Sequence, residues 1–283
     1  MQSVAPFMVH HTPPAAGAVQ IRRLTNDPQQ EYYTYVPASG GSGRPVFVAV
    51  HGVNRMAKDH AREFAGFAEV HDVVLVAPLF PKDRYSDYQR LGRSKKSARA
   101  DLALKKIIEE VGFQTGADTG SIFMFGYSGG GQFVHRYAMA YPENVKRIVA
   151  AAPGWYTFPD YTARFPFGLK RVKRLGNAAF DPARFLSIPT CVMVGGKDLG
   201  RNGEFNTSDY LDQVQGINRL ERGRNWIRAM KKAARTRKLE TRFEFRILTG
   251  CGHSFLNCMR KGRMGEQVFH FLFHSTRFYC ALN

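Results

Sequence analysis

The chain has 283 residues, of which 44% are hydrophobic and 13% aromatic, and its formal net charge is +18. This length and composition exclude a disordered or fibrous chain and predict a globular protein with a sizeable core. The surplus of 41 Lys and Arg over 23 Asp and Glu favours an anionic partner, such as nucleic acid, a membrane surface or an acidic substrate, or serves solubility alone.

The cysteines and the apolar runs of the sequence indicate in which cellular compartment the protein is expected. The cysteines at 191, 251, 258 and 280 include no CxxC pair, so neither a zinc site nor a disulfide framework is predicted. The first residues lack a basic region followed by an apolar run, and we therefore expect no signal peptide. No run of about 18 apolar residues occurs, so we expect no transmembrane helix and a cytoplasmic protein.

Short apolar runs predict buried strands, and helical patterns separate most of them. Residues 1–16 are expected to form a flexible arm, and a turn is predicted at Asn26-Asp27-Pro28. The predicted strands are 19–25, 31–37, 44–52, 72–80, 121–128, 145–153, 188–196 and 243–250. The predicted helices are 57–70, 97–111, 129–141, 220–238 and 264–275.

This alternation predicts an α/β fold, with a largely parallel sheet covered by helices on both faces. Residues 17–283 are expected to form one domain. Two stretches interrupt the rhythm: 154–187 is rich in aromatic and basic residues, and 199–240 is a polar loop followed by a basic helix. Neither carries an independent core, so both are interpreted as insertions.

A serine flanked by glycines lies between a predicted strand and a predicted helix. Gly126-Tyr127-Ser128-Gly129-Gly130 matches G-x-S-x-G in the strand–turn–helix context of a nucleophile elbow. Small flanking residues let strand and helix approach while the serine takes a strained backbone conformation. The hydroxyl then projects at the carboxyl edge of the sheet, beside a helix N-terminus that favours negative charge. An ordinary Gly-rich turn is the alternative.

Two later strand ends supply a base and an acid for such a serine. Asp198 follows the predicted strand 188–196, and His253 follows the strand 243–250. Serine, acid and histidine thus occur in the chain order that accompanies this elbow. Taken singly, Asp198 also fits a turn or helix cap, and His253 a solvent-facing loop.

Acyl transfer also needs N–H donors for the tetrahedral oxyanion. One is expected from Gly129, the residue after the serine. The other is expected from Val53, with Asn54 as the alternative, in the turn that follows His51-Gly52. We expect His51 to shape this turn rather than to act as a base.

On these motifs the chain resembles the α/β-hydrolase superfamily, and most of all compact bacterial serine esterases of the polyhydroxybutyrate-depolymerase-like and feruloyl-esterase-like groups. The resemblance covers roughly residues 17–275. It implies that His253 deprotonates Ser128, that Ser128 attacks an acyl carbonyl, and that Asp198 stabilises the imidazolium. Water then releases the acyl-enzyme, without a metal or an organic cofactor. Many secreted relatives carry signal peptides and disulfides, whose expected absence here argues against an extracellular polymer.

Four residues are predicted to contact the substrate: Asn54 in the oxyanion turn, Tyr127 beside the serine, and Trp155 and Tyr156 after the next strand. The aromatic residues of this last segment also fit a small cluster that packs on itself.

The basic helix is expected to bury a stripe formed by Trp226, Ile227, Met230, Ala233 and Ala234. Its charged residues are expected to form a solvated face, or else a surface for an anionic acyl donor; they are Arg222, Arg224, Arg228, Lys231, Lys232, Arg235, Arg237 and Lys238. A serine peptidase or thioesterase of the same fold is the enzymatic alternative. A basic binding protein is the non-enzymatic one, although the sequence has no specific nucleic-acid-binding signature.

Overall fold

The computed structural model describes residues 14–170, 173–176, 178, 180–201 and 203–274. Most of the expected arm at 1–16 lies outside these residues, as do Cys280 and the last position of the final predicted helix. The strands are β1 (Gln20–Leu24), β2 (Asp27–Tyr35), β3 (Pro45–Val50), β4 (Val74–Pro78), β5 (Asp118–Tyr127), β6 (Val145–Ala151), β7 (Thr190–Gly195) and β8 (Phe243–Leu248). The α-helices are α1 (Ala57–Val70), α2 (Ala100–Thr115), α3 (Gly129–Ala140), α4 (Pro182–Phe185), α5 (Asp209–Gln215), α6 (Arg219–Thr236), α7 (Phe255–Arg260) and α8 (Met264–Phe273).

The strands form one eight-stranded sheet in the order β1-β2-β4-β3-β5-β6-β7-β8. β2 is antiparallel to both of its neighbours, and the remaining strand pairs are parallel. The central strands are nearly continuous apolar runs because helices cover both faces of the sheet. The predicted α/β architecture with a mostly parallel sheet is confirmed.

Alternate side chains of the central strands enter two separate cores. In β3, Val48 and Val50 face the core beneath α2, α3 and α6, whereas Phe47 faces the core beneath α1 and α8. The Phe47 ring meets the rings of Phe64 and Phe269 at centroid distances of 5.2 and 4.9 Å. This packing holds the sheet rigid, so the loops at its carboxyl edge leave from fixed positions.

The first hairpin is tighter than the sequence predicts. β2 begins at Asp27, so Pro28 lies inside the strand rather than in the turn. The register between β1 and β2 shifts between Arg23 and Leu24, opposite this part of β2. Pro28 is tolerated there because the ladder is already interrupted and proline has no N–H to lose.

The 199–240 stretch contains a helix that the sequence did not predict, α5, before the predicted basic helix, α6. The expected stripe of α6 is buried at Trp226, Ile227, Met230 and Ala234. The expectation of a solvated face is wrong at Arg222, whose side chain is fully buried and donates to Asp212 Oδ1 and to the carbonyl of Gly154. These acceptors compensate the buried guanidinium.

Within the described part of the chain, no helix is both long enough and apolar enough to cross a membrane.

Candidate active site

Ser128 occupies the turn between β5 and α3, with φ 54° and ψ −112°. A positive φ is strained for a residue with a Cβ, and such strain is stored at turns that aim a functional side chain. The neighbouring glycines make the turn possible. A Cβ on Gly126 would lie 2.2 Å from the carbonyl oxygen of Gly130, and one on Gly130 would lie 2.1 Å from that of Val50.

The structure brings Ser128, His253 and Asp198 together in one line of hydrogen bonds. His253 Nε2 lies 3.1 Å from Ser128 Oγ, and His253 Nδ1 lies 2.7 Å from Asp198 Oδ2. The Asp198 side chain is 1% exposed and the His253 side chain 31% exposed. A buried carboxylate at Nδ1 places the ring proton there and leaves Nε2 free to accept the serine proton.

Asp198 has a second partner that the sequence analysis missed. Arg219, the first residue of α6, donates from Nη1 to Asp198 Oδ1 at 3.1 Å, and both side chains are almost fully buried. No spacing or motif signals this contact, because the two residues are brought together only by the path of the 199–240 stretch.

His51 shapes the turn after β3. Its Nδ1 lies 2.8 Å from the carbonyl oxygen of Gly52, and its Nε2 accepts the N–H of Phe80 at 3.0 Å. Complete burial lowers the pKa of His51 to about 3, so the ring is neutral with its proton on Nδ1. Tyr88, which the sequence analysis did not connect with this turn, donates its hydroxyl to the His51 carbonyl at 2.9 Å.

Val53 and Gly129 are neighbours across the elbow, since a Cβ on Gly129 would lie 3.0 Å from Val53 Cγ1. Among the hydrogen bonds of the described residues, none is donated by the backbone N–H of Val53 or of Gly129. Gly129 opens α3, where the first N–H groups have no acceptor within the helix. Both N–H groups are therefore candidates for the two donors that the sequence predicts.

A cavity of about 260 Å³ opens at Ser128 and His253. It includes two of the predicted substrate contacts, Asn54 and Tyr127, and the Tyr127 ring lies 5.3 Å from the imidazole. The rest of the lining is Gly52, Val53, Met56, Ser254, Phe255 and Leu256. The last two belong to α7, which had no clear signal in the sequence.

Trp155 and Tyr156 are not among the residues that line this cavity. Tyr156 is fully buried and stacks on Trp226 with ring centroids 4.9 Å apart. Trp155 lies against the guanidinium of Arg136, 4.2 Å from ring centroid to Cζ. The segment after β6 turns beneath α6, so its first two aromatic residues pack on the protein itself.

The part of the chain that the structure describes holds no group of three or more His, Cys, Asp or Glu side chains that could bind a metal ion.

Solved structures with a similar fold cover most of the chain. Poly(aspartic acid) hydrolase-1 from Sphingomonas sp. KT-1 superposes with a TM-score of 0.76 at 20% identity, over 92% of this chain and 100% of that one. LpqC, a poly(3-hydroxybutyrate) depolymerase from Bordetella parapertussis, superposes with a TM-score of 0.71 at 25% identity, over 90% of this chain and 89% of that one. S-formylglutathione hydrolase from Agrobacterium tumefaciens superposes with a TM-score of 0.54 at 16% identity, over 90% of this chain and 94% of that one.

No protein-family model and no curated protein sequence matches the chain. The sheet order and the solved neighbours show the α/β-hydrolase fold in its esterase-like form, as the motifs predicted. The depolymerase structure supports a hydrolase.

Proposed function

We propose that this protein is a serine hydrolase that cleaves carboxylic esters through an acyl-enzyme. One observation carries the proposal: Ser128 Oγ, the His253 ring and the Asp198 carboxylate form a continuous hydrogen-bonded line, with distances of 3.1 and 2.7 Å. A nucleophile, a base and a buried orienting acid in this geometry are the groups that acyl transfer needs.

In the proposed reaction, His253 Nε2 takes the Ser128 proton as Oγ attacks the ester carbonyl. The negative charge of the tetrahedral intermediate is held by the free N–H groups of Val53 and Gly129. Asp198 holds the imidazolium in place through Nδ1. His253 then protonates the departing alcohol, and the same base activates the water that releases the acid.

The cavity at Ser128 favours a short acyl group. Its volume of about 260 Å³ lies just below the range of about 300–1,000 Å³ typical of small-molecule sites. Phe255 and Leu256 provide an apolar wall, and Asn54 provides a polar group at the opposite turn. We propose Asn54 and Tyr127 as substrate contacts.

A second candidate is hydrolysis of amide bonds in an acidic chain. Two observations favour it: the net charge of +18, and the similarity of fold to a poly(aspartic acid) hydrolase at a TM-score of 0.76. A basic surface concentrates an anionic substrate and raises its rate of encounter. The same serine, histidine and aspartate would perform the chemistry.

Hydrolysis of p-nitrophenyl esters, from acetate to long-chain acyl groups, tests the proposal. Ester turnover that falls to background in Ser128→Ala is expected, with the highest kcat/KM on short chains. Matched p-nitroanilide and thioester substrates, and poly(aspartic acid), separate esterase from peptidase, thioesterase and polyamide hydrolase. Ester turnover that persists in Ser128→Ala would overturn the proposal.

A further inference from the structure

The proposed catalytic acid is held from both of its oxygens. Asp198 Oδ2 faces His253 Nδ1 at 2.7 Å, and Asp198 Oδ1 faces Arg219 Nη1 at 3.1 Å. We propose that Arg219 is a positioning residue for this site: it fixes the carboxylate orientation that presents Oδ2 to His253, and it offsets part of the carboxylate charge. The inference rests on the proposed function.

Arg219 is itself held in one place. It follows Asn218, the N-cap of α6, whose side chain accepts the N–H of Glu221 at 2.9 Å. Its guanidinium lies over the Phe205 ring, 4.7 Å from the centroid, and its side chain is 7% exposed. A rigid, buried guanidinium at one carboxylate oxygen leaves the Asp198 side chain little freedom to rotate away from His253. The 199–240 stretch therefore reaches the catalytic site through this arginine.

Two tyrosines also interact with Asp198 from neighbouring elements, and both are neutral at ordinary pH. Burial raises the pKa of Tyr127 on β5 and of Tyr156 after β6, and the charge of Asp198 raises both further. On α7, the thiol of Cys258 beside Tyr127 is neutral as well, because burial raises its pKa to about 12. Arg222, one turn further along α6, is a cation that is paired with Asp212 instead.

The cation bonded to the carboxylate is thus Arg219. Without this guanidinium, Asp198 Oδ1 loses its partner, and the carboxylate is free to rotate away from His253 Nδ1. The imidazole then loses the contact that fixes its orientation toward Ser128. A role confined to packing would lower stability but would leave kcat of the folded protein unchanged.

Arg219→Met, Arg219→Gln and the control Arg228→Met test the inference. Arg228 is an exposed arginine on the same helix, and its Nη1 donates to Asn225 Oδ1 at 3.3 Å. For Arg219→Met we expect kcat to fall about tenfold with little change in KM. Arg219→Gln keeps a hydrogen-bond donor, so its kcat should lie between those of the parent and Arg219→Met, and Arg228→Met should behave as the parent. Arg219→Gln decides the question if Arg219→Met does not fold.

A second readout is independent of turnover. The proton between His253 Nδ1 and Asp198 is expected to give a low-field NMR resonance, assigned by its loss in His253→Ala. In Ser128→Ala this resonance should persist, and adding Arg219→Gln should shift or broaden it. An unchanged kcat and an unmoved resonance in the folded Arg219 variants would overturn the role of Arg219. Ester turnover that survives Ser128→Ala would instead overturn the proposed function, and the resonance would still decide the role of Arg219.

Discussion

The backbone N–H of Lys197 donates to the carbonyl oxygen of Cys251 at 2.8 Å. This bond connects the loop that carries Asp198 to the loop that carries His253. Lys197 lies one residue before Asp198, and Cys251 lies two residues before His253. The N–H of Gly196 adds a second bond, to the carbonyl of Leu248 at 2.9 Å. Asp198 and His253 are therefore positioned by hydrogen-bonded segments of backbone before any substrate binds, which is the preorganisation that the proposed acyl transfer requires.

Replacing the acid tests the proposed division of roles. Asp198→Asn removes the charge that stabilises the imidazolium and favours the wrong ring tautomer, so we expect kcat to fall by about 10³- to 10⁴-fold with little change in KM. The measurement is steady-state kinetics on the best p-nitrophenyl ester. Asp209→Asn, an exposed aspartate at the start of α5, is the control and should retain full activity. A loss below tenfold in Asp198→Asn would contradict the role given to Asp198.

The close contact of Gly130 with β3 predicts a large loss of stability on substitution. Since a Cβ there would lie 2.1 Å from the Val50 carbonyl oxygen, Gly130→Ala should lower the free energy of unfolding by about 3 kcal/mol or more. Gly66→Ala is the matched control, because Gly66 lies in α1 with no atom within 4 Å of an added Cβ. Because alanine has a higher helix propensity than glycine, Gly66→Ala should raise the free energy of unfolding by about 0.5–1 kcal/mol. Urea denaturation measures both, and equal effects would refute the packing account.

The bond from Tyr88 to the His51 carbonyl supports the proposed oxyanion turn. Tyr88→Phe leaves that buried carbonyl without its donor, which costs about 1–3 kcal/mol of stability, and it loosens the turn that carries Val53. Steady-state kinetics on short p-nitrophenyl esters should therefore show a larger change in kcat than in KM. Tyr161→Phe, at an exposed tyrosine, should change neither. Full activity in Tyr88→Phe would show that this bond does not position the turn.

Buried histidines predict a loss of stability in mild acid. Burial lowers the pKa of His51 to about 3 and that of His60 well below its ordinary value of 6.5. Below pH 6.5 the unfolded chain binds protons that the folded chain does not, so the free energy of unfolding falls as pH drops from about 6.5 toward 4, by up to about 1.4 kcal/mol per pH unit for each such histidine.

His60→Phe tests this linkage away from the catalytic groups. The His60 ring stacks on Phe255 with centroids 3.8 Å apart, so phenylalanine can take its place in the same core. Urea unfolding between pH 7 and pH 5 gives the slope of the unfolding free energy against pH. In His60→Phe this slope should be smaller, because about one proton fewer is taken up on unfolding. An unchanged pH dependence would mean that His60 takes up its proton in the folded state as readily as in the unfolded chain.

Much of the fold was predictable because its signals are local. The apolar runs predict the strands β3 to β8, and the glycines around Ser128 predict the turn between β5 and α3. The positions of Asp198 and His253 after strand ends, and their order in the chain, predict them as partners of Ser128. The contacts that support these residues were not predictable. Arg219 reaches Asp198, and Tyr88 reaches His51, only through the paths of long connections, for which the sequence carries no periodic signal.

Long connections also explain why the residues that line the cavity differ from the predicted substrate contacts. Trp155 and Tyr156 follow a strand at the correct edge of the sheet, but α6 and Gln215 draw them inward; the Gln215 side chain accepts the N–H of Tyr156 at 2.9 Å. Phe255 and Leu256 line the cavity because α7 begins two residues after His253, with Ser254 as its N-cap. Strand order predicts which loops meet at a site, whereas side-chain packing decides which residues of those loops face it.

The most direct test of the central proposal is mass spectrometry of the protein quenched within milliseconds of mixing with p-nitrophenyl acetate, followed by peptide mapping. The account predicts an added acetyl group on Ser128, formed at the rate of p-nitrophenol release and lost at the rate of turnover. Turnover at the same rate with no acetyl group on Ser128 at any time would contradict it.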